Sequence, residues 1–381
     1  MADKVLFPGD TLGIIGDSPN GIMLVEAAKR MGFEVIVCGS NEASPTMRAA
    51  DVKIVGTSKE KLHDFAERCD MVTYESQYVP ADVIEYISRF TTVPQGKDTL
   101  EIYQDRLLER AFFEQINVNI APYATIVSLD DVYQSVSSIG FPCILKPIQK
   151  VYRNKREMII KKQTDIAKSA DIIDLGTYVL ESLISFDKEL SITFTRDYEG
   201  KLNFFPVTEE IYNGQKLNRV LTPARINNDV EKEVKNLAKK IADNTNYVGA
   251  MQVSFFLTEN GALYVKRMVP AISEAGYVFD KATLVSIFEQ HLRVLARMPL
   301  ASTEMIEPTA MVLVNDDDMN DLRTQWVLKD NWYYNFFRYP ETMKPRPAGY
   351  VLVTAPTIDA AEDQIESTGI WTDSSADQDN E

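Results

Sequence analysis

A short apolar run at residues 11–16, Thr-Leu-Gly-Ile-Ile-Gly, stops on a glycine and constrains the fold more than any other segment. A helical pattern follows over 23–31, then a second apolar run, Val35-Ile36-Val37. Strand, turn, helix, strand is the start of a parallel sheet, because parallel neighbours need a long crossover and a helix supplies it. Apolar runs at 52–55 and 71–74 continue the alternation, with helical patterns near 59–68 and 81–90. Residues 1–97 therefore read as a small doubly wound α/β domain.

Gly13, Gly16 and Gly21 sit at the first strand-to-helix turn, where glycine lets a phosphate approach backbone N–H groups. Their spacing matches neither the dinucleotide fingerprint nor a P-loop, since Ile22 follows Gly21. Asp17 also places a negative charge at that mouth. Tight packing is the plainer reading of these glycines.

Beyond residue 97 the periodicity changes. A charged helix is expected over 98–110 and another over 130–139, followed by a strand at Pro142-Cys143-Ile144-Leu145-Lys146. Strand-like runs recur at 158–160, 178–180, 190–195, 202–207, 250–257 and 262–265, the last two joined at an Asn260-Gly261 turn. Helices are expected over 230–244 and 281–297. This α+β region, 98–300, gives way to a small β-rich domain, 301–381, whose core should hold Trp326, Trp332 and the aromatic run 333–337. Its tail, 372–381, carries four acidic residues and no basic one, and is expected to be disordered.

Composition removes several chemistries. With 40 Lys and Arg against 56 Asp and Glu, the net charge of −16 disfavours nucleic acid as a partner. No apolar run has the ~18–20 residues of a membrane span. The opening Met1-Ala2-Asp3-Lys4 does not resemble a secretory signal, and three scattered cysteines do not make a disulfide framework. A cytoplasmic protein is expected. Two histidines are too few for an imidazole-built zinc site, and no nucleophile elbow is present. Carboxylates, Lys, Arg or backbone groups must carry the function.

Four motifs then stand out in order: Gln104-Asp105-Arg106-Leu107; Gly140-Phe141-Pro142 followed by Lys146; Pro223-Ala224-Arg225; and Phe288-Glu289-Gln290-His291-Leu292-Arg293. With Val72-Thr73-Tyr74-Glu75, Ser44-Pro45, Glu181 and Glu189, they resemble N5-carboxyaminoimidazole ribonucleotide synthetase, an ATP-grasp ligase of purine biosynthesis. The resemblance spans about residues 10–354. It implies an ATP-grasp fold with an N-terminal pre-ATP-grasp domain, and ATP- and Mg²⁺-dependent carboxylation of 5-aminoimidazole ribonucleotide with bicarbonate. It also implies a homodimer. Lys146 and Arg106 match phosphate-contacting positions, Glu181, Leu183 and Ile184 the segment along the adenine, and Glu189 the acceptor of the ribose hydroxyls. Glu75, Arg225 and Arg346 match substrate contacts.

Elsewhere the chain departs from the family. A phosphate loop of the type Gly-Gly-Tyr-Asp-Gly-Lys-Gly-Gln is replaced by residues 150–157, Lys-Val-Tyr-Arg-Asn-Lys-Arg-Glu, keeping only Tyr152 and Lys155. Ser254 stands where the family has a metal carboxylate, Lys266 and Arg267 where it has an Asn-Glu pair, and Tyr212 where it has a histidine. No catalytic residue and no metal ligand can be assigned from these positions. Each cation placed ~4 Å from a divalent ion costs about 4 kcal/mol per unit charge at an effective dielectric near 20. Two outcomes stay open: the family ligase with weak or absent turnover, or an inactive paralogue that binds a nucleotide or a partner. In either, adjacent strand residues should face opposite ways, so that only Arg267 of the pair enters the cleft, there to meet phosphate oxygens in place of Mg²⁺.

Overall fold

A computed structural model describes residues 5–150, 156–173, 176–340 and 347–371. The chain opens with β1 (Thr11–Ile15), β2 (Glu34–Gly39), β3 (Val52–Val55) and β4 (Met71–Tyr74), a parallel sheet in the order β3-β2-β1-β4. Successive β1 side chains enter different cores. Leu12 and Ile14 pack with Phe288 and Leu292, whereas Ile15 packs with Phe65 and Tyr74. Burial on both faces explains why this strand reads as a continuous apolar run. A Cβ on Gly13 would lie 2.6 Å from Cys69 Sγ, and one on Gly21 2.4 Å from Thr46 Cγ2, so both glycines are demanded by packing.

A second sheet follows, with β5 (Tyr123–Ile126), β6 (Cys143–Pro147), β7 (Met158–Ile160) and β8 (Tyr178–Ser182) in the antiparallel order β5-β8-β6-β7. The helix Leu129–Ile139 covers it and starts at a capping box made by Ser128 and Asp131. The third sheet holds β9 (Lys188–Arg196), β10 (Leu202–Phe204), β11 (Thr208–Asn213), β12 (Lys216–Thr222), β13 (Gly249–Leu257) and β14 (Leu263–Val269). It continues through β15 (Thr309–Asn315), β16 (Trp332–Phe336) and β17 (Pro347–Thr354). Its order is β14-β13-β9-β11-β12-β15-β17-β16, with β10 on β9, so the C-terminal strands extend the same sheet.

His291 clamps the first domain to this sheet. Its Nδ1 accepts from Ala250 N–H at 3.0 Å, which leaves Nε2 to donate to Thr73 Oγ1 at 2.9 Å. Thr73 in turn donates to Gln95 Oε1 at 2.7 Å. Burial pushes the imidazole down to about 4, so a neutral ring holds the joint. The three cysteines are separate buried thiols. Among the described residues no helix is long and apolar enough to cross a membrane.

Three expectations need correction. The helix over 98–110 is two helices, Asp98–Gln104 and Arg106–Gln115, because Asp105 turns to accept from Leu107 and Leu108 N–H and caps the second. The helix over 281–297 is likewise split into Phe279–Ala282 and Ile287–Leu295, the latter capped by Ser286. Trp332 is buried on β16, but Trp326 lies on the short helix Leu322–Leu328, 60% exposed, with its ring 4.8 Å from that of Tyr334. Residues 372–381 lie outside the described residues.

Candidate functional site

The turn between the two short helices at Asp105 carries Arg106 and Arg110 toward β6 and β8. Glu181, buried on β8, accepts from Arg110 Nε at 2.8 Å and from Lys146 Nζ at 2.9 Å. Burial favours the neutral acid, but Arg110 and Lys146 outweigh it and hold this carboxyl well below its ordinary range. Arg106 Nη2 donates to Glu157 at 2.6 Å. Lys150 donates to buried Glu109 at 2.6 Å and stands 4.0 Å above the Tyr103 ring, and burial pulls its ammonium down to about 8. Two bonds tie this cluster to the large sheet: Arg110 Nη2 to Lys266 O at 3.2 Å, and Met268 N–H to Glu109 Oε1 at 3.2 Å. Leu183 and Ile184 follow directly after β8, half-buried, with Leu183 N–H donating to Pro142 O at 3.0 Å. Tyr152 and Lys155 lie outside the described residues.

Against this cluster stands the β13–β14 hairpin. Its register runs Ser254 opposite Arg267, then Phe255 opposite Val265, so Lys266 is the extra residue of a bulge. The bulge breaks the alternation on which the sequence reading relied, and both cations reach Tyr212. Lys266 Nζ lies 4.5 Å from the Tyr212 ring centroid, and Arg267 Nη2 donates to Tyr212 Oη at 3.3 Å. The expectation that only Arg267 enters the cleft is therefore corrected. Lys266 also donates to Glu189 Oε2 at 2.5 Å, so that carboxylate is engaged by the chain itself. Tyr212 donates to Glu210 Oε2 at 2.8 Å, and Gln252 Nε2 donates to Glu210 Oε1 at 2.8 Å. Ser254 is buried and accepts from Gln252 at 3.3 Å.

Glu75 closes the first strand-to-helix turn. Its carboxylate accepts from Ser18 N–H at 3.1 Å and from the Ser18 hydroxyl, and it fills the space where Gly16, at φ +118°, has no side chain. Burial pushes its carboxyl up to about 7, against the Ser18 hydrogen bonds. Asn20 links the turn to Ile272 O at 2.8 Å, and Tyr277 donates to Asn20 at 2.5 Å. Arg225 is held elsewhere: Glu209 takes its Nε at 3.1 Å and Nη2 at 2.7 Å, and Glu362 takes Nη1 at 2.6 Å. No contact joins it to Glu75 among the described residues, and Arg346 lies outside them.

Two family models cover most of the chain: a ribonucleotide synthetase preATP-grasp domain at residues 10–104 and an ATP-grasp domain at 111–288. N5-carboxyaminoimidazole ribonucleotide synthase of Bacillus subtilis is 30% identical over 354 residues, covering 92% of this chain and 93% of that protein. The chain belongs to the N5-carboxyaminoimidazole ribonucleotide synthase family. A crystal structure of an ADP complex of such a synthetase superposes with a TM-score of 0.92 at 26% identity, covering 97% of this chain and 99% of the other. The Staphylococcus aureus synthetase complexed with ADP superposes at 0.90 and 25% identity, covering 96% and 98%.

A divalent ion of the kind this synthase family uses does not fit the residues present. Among the described residues no group of three or more His, Cys, Asp or Glu side chains could hold a metal ion. The positions matched to metal ligands are a serine hydroxyl, a lysine paired with Glu189, and a guanidinium. Sequence reasoning passed over Arg110, Glu109, Lys150, Glu210 and Gln252. Arg110 lies 71 residues from Glu181, a separation that only the fold reveals.

Proposed function

We propose that this chain binds a nucleotide in its ATP-grasp cleft and 5-aminoimidazole ribonucleotide beside Glu75, and that it carries out ATP-dependent carboxylation in purine biosynthesis slowly. Lys146 and Arg106, with Tyr152 and Lys155 of the loop, would meet phosphates. Leu183 and Ile184 would offer backbone groups to the base, and Glu189, released by Lys266, the ribose. Arg225 and Arg346 would serve the ribonucleotide. The observation that carries the reading is the face built by Lys266, Arg267 and Tyr212, where two cations stand on one side of the cleft. A charge inversion of about 4 kcal/mol per contact corresponds to roughly a thousandfold.

ADP release by the purified chain with ATP, bicarbonate, Mg²⁺ and the ribonucleotide should run at least about a thousandfold below the Bacillus subtilis relative assayed beside it. Equal rates would overturn the proposal. A second reading, an inactive paralogue that binds nucleotide and acts on a partner, draws support from the loop at 150–157, which has none of the family's four glycines. ADP binding with no ribonucleotide-dependent release would favour it. The cytoplasmic setting and a homodimer complete the proposal, and light scattering that finds only a 43.1 kDa species would remove the dimer.

A further inference from the structure

Of the cleft cations described above, all but one have a carboxylate partner in the chain. Arg106 has Glu157, Arg110 and Lys146 share Glu181, Lys150 has Glu109, and Lys266 has Glu189. Arg267 is the exception: among the described residues no carboxylate lies within ion-pair distance of it. Its hydrogen bond to the neutral Tyr212 hydroxyl is long, and its Nε is buried with no partner. Glu210 stabilises the Arg267 charge through space, but its hydrogen bonds go to Tyr212 and Gln252. Glu274 feels the charge of Arg267, yet burial keeps its carboxyl above the ordinary range.

A guanidinium cannot shed its proton, so a half-buried one whose Nε is desolvated and which lacks a paired anion is costly to keep. Its planar fork matches the oxygens of a phosphate, and the bulge brings a second cation, Lys266, to the same side. We propose that Arg267 is an oxyanion-binding residue that takes a phosphate oxygen of a nucleotide directly, with no divalent cation between them. This rests on the nucleotide binding proposed above.

Calorimetry of the full chain with ADP tests it. Binding should persist in EDTA and change less than about threefold when Mg²⁺ is added, whereas Arg267→Gln should weaken it at least about tenfold. Arg267→Lys should restore part of the loss, and matched melting curves would show that both variants fold. Inorganic phosphate should displace ADP from the unsubstituted protein and compete less well in Arg267→Gln. Binding that strictly requires Mg²⁺, or Arg267→Gln binding as tightly as the unsubstituted protein, would overturn the inference. Absence of ADP binding under both conditions would overturn it together with nucleotide binding. Fast Mg²⁺-dependent ADP release would instead overturn only the slow-turnover reading, provided that binding in EDTA remains.

Discussion

The two sides of the cleft solve the problem of buried charge in opposite ways. Around Glu181, one carboxylate is shared by Arg110 and Lys146, and the whole cluster is bonded to the main chain of β14. Arg267 hydrogen-bonds only a phenol among the described residues, with Glu210 and Glu274 acting on it through space, and at the first turn Glu75 is an acid held by Ser18 without a cation. In the Glu181 cluster every charge has a counter-charge within the chain, although Arg110 Nη1 is buried without a hydrogen-bond partner, and the cluster serves the architecture whether or not a ligand arrives. Among the described residues Arg267 has no carboxylate, and Glu75 no cation, within ion-pair distance, and a charge site left without a counter-charge is what a binding group looks like.

The largest test of this contrast is stability in urea. Glu181→Ala leaves Arg110 buried and unpaired, and should cost about 3–5 kcal/mol. Arg267→Met removes an already unpaired charge and should be neutral or stabilising by about 1 kcal/mol. If Arg267→Met costs as much as Glu181→Ala, then Arg267 has an internal partner and the contrast is broken.

The pH dependence should differ in sign between the two acids. Glu75, pushed to about 7 from an ordinary 4.5, keeps its proton in the folded chain over a window where the unfolded chain has lost it. Its contribution therefore falls as pH rises from about 4.5 to about 7, by on the order of 3 kcal/mol at most. Glu181 is held below its ordinary range, so its contribution is fully present above that range and is lost as the pH falls from there through the depressed folded value. Denaturation of Glu75→Gln from pH 4.5 to 7.5 should lack the Glu75 slope. An unchanged slope would show that Glu75 is already ionised in the fold.

The strands of the first sheet were legible because burial on two faces leaves a continuous apolar run. Lys146, Glu181 and Glu189 were singled out through resemblance, and the structure brings Lys146 and Glu181 into contact and pairs Glu189 with Lys266. The break at Asp105 was within reach, since an Asp three residues before Leu108 is a helix-start signal inside a charged helix. The bulge at Lys266 was not, because alternation assumes an even ladder and nothing in the residue types marks the extra one. Partners such as Arg110 and Glu181, or Glu109 and Lys150, lie tens of residues apart and become neighbours only when the helix Arg106–Gln115 docks between two sheets. Trp326 was assigned to the core on hydrophobicity alone, but a short helix exposes it.

The smallest effect concerns Tyr212, the phenol between the two charged residues. Tyr212→Phe keeps the ring under Lys266 but removes the hydroxyl that donates to Glu210 and accepts from Arg267. Buried Glu210 and half-buried Arg267 then lose a partner, yet Glu210 retains Gln252, so a loss of about 1–1.5 kcal/mol is expected. A double-mutant cycle apportions that loss. Coupling between Tyr212→Phe and Arg267→Met should stay near 0.5 kcal/mol, roughly the low end for a neutral hydrogen bond, because the contact is long. The same cycle on Arg110 and Glu181 should give several-fold more, since both groups are charged and well aligned. Comparable coupling energies in the two cycles would mean that Tyr212 satisfies Arg267 as fully as Glu181 satisfies Arg110. Arg267 would then have no unmet demand for an external anion.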